Sequence, residues 1–597
     1  MKRVMQHVVA LMMIPTMSWG QDVTFDISAG NDTLKSALRD ASLVAGLSSD
    51  ETPAPQDYVA AARADYRRLL TALYAKGYYA GTISIKINGI EASNLAPLDA
   101  PTAIRGVSFS VDPGPRFNFA EVSIAPIPSG TLLPESFAKG EFARSDVIGE
   151  AVNAGIDAWR NAGHAKAQAA GQKITAQHAQ SLLNVAISID NGPQLTFGEL
   201  SITGDSKVRA SRITKIAGLP IGEVYSPQDL RDAERRLRAT GAFDSVSAVE
   251  ADNIGPNNTL PIELQIVDSR PRRFGFGLEL SSIEGVKVST YWLHRNFLGG
   301  AERFRVEGEI SGIGGETGGI DYKIGASLDR PAVYGADTNL FSRAEISRID
   351  EPNYLIDKVA LQFGLTRPFG EDINLSAGIG VLAAREVTDL GTKTYTLLTL
   401  PLSATLERRD NPTDAKDGYY IDVDTTPFYN VDNGTFGARV FSDARIYKSV
   451  GEGNKLTFAA RSQIGSVFGS DITDTPADFL FYSGGGGTVR GQSYDSLGIT
   501  TTVGGTTTTT GGLSFAGAQL EARYAVTDKI GVVGFYDFGQ ITADSGFGGA
   551  SQWHAGAGIG VRYNTGIGPI RLDIGTPASG DNIADEVQVY IGIGQSF

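Results

Sequence analysis

Three stretches decide the fold: Gly558-Ile559-Gly560-Val561-Arg562-Tyr563-Asn564, Pro569-Ile570-Arg571-Leu572-Asp573-Ile574-Gly575, and Val587-Gln588-Val589-Tyr590-Ile591-Gly592-Ile593-Gly594-Gln595-Ser596-Phe597. Side chains of a strand alternate between its two faces. Ile559, Val561 and Tyr563 therefore share one face, opposite Gly558, Gly560, Arg562 and Asn564. Arg571 and Asp573 share a face of the next strand. In the last stretch Val587, Val589, Ile591 and Ile593 oppose Gln588, Tyr590, Gly592 and Gly594. An apolar face backed by glycine and charge fits a transmembrane β-barrel, apolar outward and polar toward the lumen. A soluble sandwich alternates equally well but turns its apolar face inward.

Working back toward residue 272, the same pattern persists and helical periodicity is nearly absent. Leu456–Ile464 alternates behind the tight turn Gly451-Glu452-Gly453-Asn454. Residues 272–597 hold about 16 strands with their connections, an even count within the known range. Much of the unusual glycine content, 72 of 597 residues, falls in this half.

Residues 21–271 alternate strands with helices and carry a repeat. Asp112-Pro113-Gly114-Pro115-Arg116-Phe117 recurs as Asp190-Asn191-Gly192-Pro193-Gln194-Leu195, and again as Asp268-Ser269-Arg270-Pro271-Arg272-Arg273-Phe274, each 78 residues on. A strand precedes each copy, and Phe119–Ile124 and Phe197–Ile202 follow the first two. A helix in each unit stops at glycine: 58–76 before Gly77, 146–162 before Gly163 and 227–240 before Gly241. Ser226-Pro227 starts the third of these helices. Arg270 replaces the glycine of the earlier copies, so the third turn should differ.

The N-terminus reads as a cleaved export signal over residues 1–20. Lys2 and Arg3 precede the apolar stretch Val8–Met17, and Ser18-Trp19-Gly20 ends in a small residue. That stretch is too short to span about 30 Å of hydrocarbon. An exported chain without cysteine fits a bacterial periplasm or outer membrane better than a disulfide-built module. The net charge of −15 argues against a nucleic-acid partner.

Enzyme chemistry is poorly represented. The five histidines, His7, His164, His178, His294 and His554, have no metal-ligand spacing. No nucleophile elbow or Walker sequence occurs. Gly484-Gly485-Gly486-Gly487 imitates a phosphate loop, but no Gly-Lys-Ser/Thr follows, and a flexible loop is the better reading. No catalytic residue, metal or cofactor is expected. The glycine run continues into Thr488-Val489-Arg490-Gly491. Downstream, Val533, Phe535 and Asp537 should face the lumen, as should Gln519, Glu521 and Arg523 on the preceding strand. Arg490 could reach Asp537 and Glu521 in a charge-assisted pair, or remain a solvated loop residue.

Val489-Arg490-Gly491 with Phe535-x-Asp537-x-Gly539 resembles the paired signature of the BamA/TamA superfamily of outer-membrane assembly factors. The repeats resemble POTRA domains, through junctions such as Gly241-Ala242-Phe243-Asp244-Ser245-Val246. Arg295-Asn296-Phe297-Leu298-Gly299 and Arg408-Arg409-Asp410-Asn411-Pro412 resemble barrel stretches of that superfamily. The resemblance implies three tandem α/β POTRA domains (21–115, 116–194 and 195–271) followed by an antiparallel outer-membrane β-barrel over 272–597. Three units and this length resemble the TamA branch; two-partner secretion transporters carry two units and a plug helix, which is not evident here. The resemblance implies that Arg490 sits on a loop folded into the lumen and locked against Asp537. Gln492 departs from the aromatic usual there, so aromatic packing of the loop tip is not implied.

The expected function is non-enzymatic insertion of outer-membrane proteins. Glycine weakens a strand, so the last strand (Val589, Ile591, Gly592, Ile593, Gly594, Phe597) would form a weak seam with the first. That seam would open sideways and template a client strand. The TamA resemblance implies a TamB-like inner-membrane-anchored partner, with autotransporters and other barrel proteins as clients and POTRA edges contacting partners. Phospholipid movement to the outer membrane is a related expectation. A polypeptide-secretion pore is the alternative class, and a purely structural barrel the third.

Overall fold

The computed structural model describes residues 22–28, 32–47, 53–96, 100–281, 285–315, 318–566, 568–580 and 587–597. The export signal read at residues 1–20 lies outside them. The chain divides into two compact units. The first runs to Gly198 and includes Ile221–Gln228 and Asp252–Leu260; the second holds Glu199–Pro220, Asp229–Ala251 and Pro261–Phe597.

The first unit contains two sheets. In one, Gly106–Asp112 is flanked by Asp22–Ile27, parallel to it, and by Thr82–Ile87, antiparallel. In the other, Leu182–Asp190 is flanked by Asn118–Ala125, parallel, and Gln168–Gln177, antiparallel. The helix Pro55–Ala75 buries Tyr58, Val59, Leu69 and Leu73 beside Phe109 and Val111 of the first sheet. The helix Ser145–Asn161 buries Val147, Ile148 and Val152 beside Leu183 and Ile187 of the second.

The repeat read in the sequence is the link at each helix end. Phe117 N–H donates to the Gly77 carbonyl at 2.8 Å, and Leu195 N–H to the Gly163 carbonyl at 2.9 Å. Asp112 and Asp190 each accept the N–H of the glycine two residues on, both at 3.1 Å. In the third copy, Asp268 instead accepts from Ser206 Oγ at 2.7 Å and Lys207 N–H at 2.8 Å. Gly114 and Gly192 are left-handed and Arg270 is not, so the change of residue changes the turn.

The short helices Asp32–Ala41 and Leu43–Gly46 had no counterpart in the sequence reading. Buried Asp65 fixes them: its carboxylate accepts from Ser42 Oγ at 2.6 Å, Leu43 N–H at 2.8 Å and Val44 N–H at 3.2 Å. Asp65→Ala strands these donors and should cost about 3 kcal/mol. Hydrogen exchange on the full chain should show lost protection at Leu43 and Val44; unchanged protection would refute that role.

Most of a third sheet, in which Thr259–Asp268 lies between Thr196–Thr203 and Phe243–Glu250, belongs to the second unit. Its helices include Ala210–Ala217, also absent from the sequence reading, and Pro227–Ala239. Arg236 Nε donates to Asp337 Oδ1 at 2.6 Å and Lys215 Nζ to the Val333 carbonyl at 3.1 Å. These bonds fasten both helices to the barrel connection 331–338.

Seventeen strand segments among the described residues close a barrel from Arg272–Ser281 to Gln588–Ile593, and Ile499–Val503 pairs with Thr506–Thr510 in a separate hairpin. Two of these, Gly391–Thr399 and Leu402–Glu407, pair with the same two neighbours and flank Pro401, which has no N–H for the ladder. Ile559, Leu520, Tyr536 and Ile591 are exposed on the outer face, while Arg562, Gln519, Glu521, Phe535 and Asp537 are buried inside. No helix among the described residues is long and apolar enough to cross a membrane.

Candidate functional site

The connection from Leu456–Phe468 to Ser514–Ala525 folds into the barrel. Its own Leu480, Phe481 and Leu497 pack on Ile356, Leu382, Tyr395 and Leu397 of the wall. Lys358 Nζ holds Asp478 at 2.9 Å, and Glu386 Oε2 accepts the Ala477 N–H at 2.6 Å. The glycine run, read as a flexible loop, makes specific bonds: Gly484 N–H donates to Thr488 Oγ1 at 2.8 Å, and Gly485 N–H to the Gln492 carbonyl at 3.0 Å. Arg461 Nη1 donates to the Gly487 carbonyl at 3.1 Å.

This scaffold carries Val489, fully buried, and Arg490, 1% exposed. Arg490 Nε and Nη2 donate to Asp537 Oδ2 and Oδ1 at 2.7 and 2.9 Å, a bidentate pair. The Arg490 backbone N–H reaches the same carboxylate at 3.1 Å, and Nη1 reaches Glu521 Oε1 at 2.6 Å. The guanidinium carbon lies 3.7 Å from the Phe535 ring centroid, placing the cation over the ring face. Asp573, absent from the predicted site, stands 3.5 Å from Arg490 Nη1 and takes Arg562 Nη1 at 2.5 Å. Arg523 Nε bonds Glu521 Oε2 at 2.7 Å. Three buried arginines thus face three buried carboxylates. Alternation placed Arg562 and Asp573 on inward faces, but their association with Arg490 required the closed barrel.

Glycines admit the loop. A Cβ at Gly539 would meet Ser483 and Val489, and one at Gly556 would run into the Arg490 carbonyl. Gly491 has φ +91°, and its added Cβ would stand 2.5 Å from the Thr576 carbonyl oxygen. Gly491→Ala therefore combines left-handed strain with a backbone clash, costing about 1–3 kcal/mol in seating the loop. Faster proteolysis within 469–513 would register the loss; wild-type resistance would contradict it. Gln492 Nε2 donates to the Ala555 carbonyl at 2.7 Å, where the resemblance leads one to expect an aromatic.

The loop also touches the last strand, since Gly491 N–H donates to Tyr590 Oη at 3.1 Å. That strand, Gln588–Ile593, pairs over six residues with Gly568–Pro577. Toward Arg272–Ser281 only two pairs are found among the described residues, Leu280 with Ile591 and Ser281 with Tyr590. Arg272–Ser281 pairs over ten residues with its other neighbour. Val589 and Ile593 lie in the ladder opposite Ile574 and Ile570; the Ile593 side chain lies outside what is described. Gly592 leaves room for the Arg571 guanidinium, and Gly594, at φ +95°, ends the strand.

Phe597 is therefore not a strand residue, contrary to the sequence expectation. The chain turns at Gly594, and Phe597 is buried beside Ala415, Tyr447 and Ala459. Ser596 Oγ donates to Glu521 Oε1. Gln595 Oε1 accepts from Arg562 Nε at 2.9 Å, and Gln595 Nε2 donates to Asp414 Oδ1 at 2.8 Å. Sequence alternation gave no signal for these contacts, because the residues lie beyond the periodic stretch.

No group of three or more metal-ligating side chains is found among the described residues. Ser483 Oγ and His554 Nε2 lie 2.9 Å apart. The two residues are buried under the loop, where they join it to the wall.

Residues 195–268 match the POTRA model, described as a surface antigen variable number repeat. The fold is similar to that of BamA from Haemophilus ducreyi lacking POTRA domains 1–3, at 14% identity and TM-score 0.63, covering 80% of this chain and 100% of that one. CdiB from Acinetobacter baumannii is similar at 11% identity and TM-score 0.50, with 80% and 89% covered. At such identities the likeness speaks for the fold alone. Residues 296–597, half of the chain, match the Omp85 superfamily domain, and the chain belongs to the Omp85 superfamily.

Proposed function

We propose that this protein assembles β-barrel proteins in a bacterial outer membrane, through a lateral gate between its first and last strands. On this reading the barrel has sixteen strands, the two segments around Pro401 forming one, and the three preceding sheets are three periplasmic POTRA domains. The observation that carries the reading is the seam, where two pairs are found among the described residues beside boundaries of six and ten. Lipid offers no hydrogen bonds to an open strand edge, so a partly unpaired seam favours capture of another strand. The TamA-like features noted in the sequence extend the proposal to a TamB-like partner and to autotransporter clients.

Liposomes containing the protein should convert an unfolded barrel client to its heat-modifiable, protease-resistant form at least about tenfold faster than empty liposomes, a difference of about 1.4 kcal/mol in barrier. Equal rates would reject the proposal. The competing reading is a polypeptide-secretion pore. The apolar knot of the inward loop occupies lumen space and disfavours a standing channel; a large steady conductance in planar bilayers would reverse that judgement.

A further inference from the structure

We propose that the outer face of the barrel carries a cleft for one acyl chain of a periplasmic-leaflet phospholipid, floored by Ala460, Ala522 and Gly534, with the headgroup held toward Lys448. The inference needs only the placement of the barrel in a membrane and is independent of the proposed gate.

The cleft crosses strands Thr435–Val450, Leu456–Phe468, Ser514–Ala525 and Ile530–Thr542 and has a volume of about 580 Å³. Strand register sets its shape. Phe458 lies opposite Ala522, and Ala522 opposite Gly534. On the next outward row Ile446 lies opposite Ala460, Ala460 opposite Leu520, and Leu520 opposite Tyr536. Small residues thus form a floor, and Ile446, Phe458, Leu520 and Tyr536, all exposed, stand as walls.

Gly534 points to a ligand. Its backbone is not left-handed, and a Cβ there would meet nothing within 4 Å. Neither turn geometry nor packing therefore requires glycine. Its neighbours on the same face, Val532 and Tyr536, are large and exposed. Glycine weakens a strand interior, and it marks places where a ligand approaches the backbone closely. The floor and walls are apolar apart from the Tyr536 hydroxyl, so the ligand is apolar. In the hydrocarbon layer that ligand is a lipid tail. Burial from water supplies no drive there. The tail is retained because the cleft touches it on several sides, whereas an unfilled cleft forfeits those dispersion contacts.

Lys448 sets the direction of the chain. It is the register partner of Phe458 and lies two residues before the end of its strand. The turn at 451–454 is short, as periplasmic turns of such barrels are. It also lies at the same barrel end as the connection 331–338, six strands earlier when the segments around Pro401 count as one. Helices of the preceding domain fasten that connection. A lysine near the end of a spanning segment reaches toward the interface, where lipid phosphates lie. Its bond to Asp417, at 2.9 Å, joins two exposed side chains. Such a pair contributes little, which leaves the ammonium available to a phosphate.

The test places the full chain in vesicles of phosphatidylethanolamine and phosphatidylglycerol, doped with phosphatidylglycerol bearing a mid-chain diazirine, and maps the labelled peptides after irradiation. Peptides holding Phe458, Ala522 or Gly534 should label at least fivefold above those of Tyr354–Phe369, a strand whose Val359, Leu361 and Phe363 are also exposed. Gly534→Leu enters open space, fills the cleft and should lower the labelling to that background. Lys448→Gln should lower it about threefold. Uniform labelling of the wall, or undiminished labelling in Gly534→Leu, overturns the proposal; undiminished labelling in Lys448→Gln overturns the headgroup placement. Heat-modifiable migration reports whether each variant is folded. Should Gly534→Leu fail that check, Ala522→Leu fills the same floor from the adjacent strand, with the same outcomes expected. No readout involves client insertion, so failure here and failure of the assembly function are distinguishable.

Discussion

Joining Leu280 to Ile591 by a disulfide should abolish client assembly, and reductant should restore it. These two residues are register partners across the seam. Opposed residues in an antiparallel ladder lie about 4.5–5.5 Å apart at Cα, within disulfide range. The Ile591 side chain is exposed on the outer face, away from the buried Arg490 network, and the sequence has no cysteine to mispair. In lipid no water replaces a broken ladder bond, so each unpaired backbone group costs several kcal/mol. Opening the two pairs found among the described residues therefore costs far less than opening the ten-residue boundary beside them. The covalent link removes the open state altogether, so the oxidised variant should assemble client at least about a hundredfold more slowly, some 2.8 kcal/mol in barrier. Undiminished assembly by the fully oxidised protein would eliminate a lateral gate at this seam.

Arg490→Ala should be the most destabilising single substitution in the lumen. It leaves Glu521, Asp537 and Asp573, all buried, without the guanidinium that faces them. Removing one partner of a buried ion pair costs about 3–5 kcal/mol. The midpoint of urea unfolding in micelles should fall accordingly, and the connection 469–513 should become protease-sensitive. Arg490→Lys should lie between wild type and Arg490→Ala, because an ammonium keeps the charge but loses the planar fork that grips both Asp537 oxygens. A double-mutant cycle of Arg490→Ala with Asp537→Ala should show a coupling of at least about 2 kcal/mol, as expected for contacting charges. A cycle with Arg235→Ala, whose exposed side chain pairs with Asp232 and Glu371 instead, should show none. If Arg490→Ala costs under about 1 kcal/mol, the range of an exposed ion pair, the loop is held by its apolar knot alone.

Periodicity made much of the site legible as directions. Glu521, Phe535 and Asp537 sit at inward positions of their strands, and Arg562 and Asp573 at inward positions of theirs. The apolar anchoring of the loop was not legible, because Leu480, Phe481 and Leu497 lie in an aperiodic segment and their partners are remote. The helices near Ser42 and Ala210 were also missed. They are short, and the Asp65 carboxylate that supports the former comes from another helix.

By itself the sequence determined the two architectures and the facing of barrel residues, since a side chain's face follows from parity along a strand. It determined the 78-residue repeat and the third copy's exceptional turn, which depend on neighbouring residues. Only the tertiary structure decided which inward groups meet. Arg490 reaches Asp537 across 47 positions, and Gln595 reaches Asp414 across 181. Such pairings depend on strand register and barrel closure, which no local pattern encodes. The tertiary structure likewise decided that Phe597 leaves the seam, because Gly594 permits the turn but the buried pocket inside the barrel receives the ring.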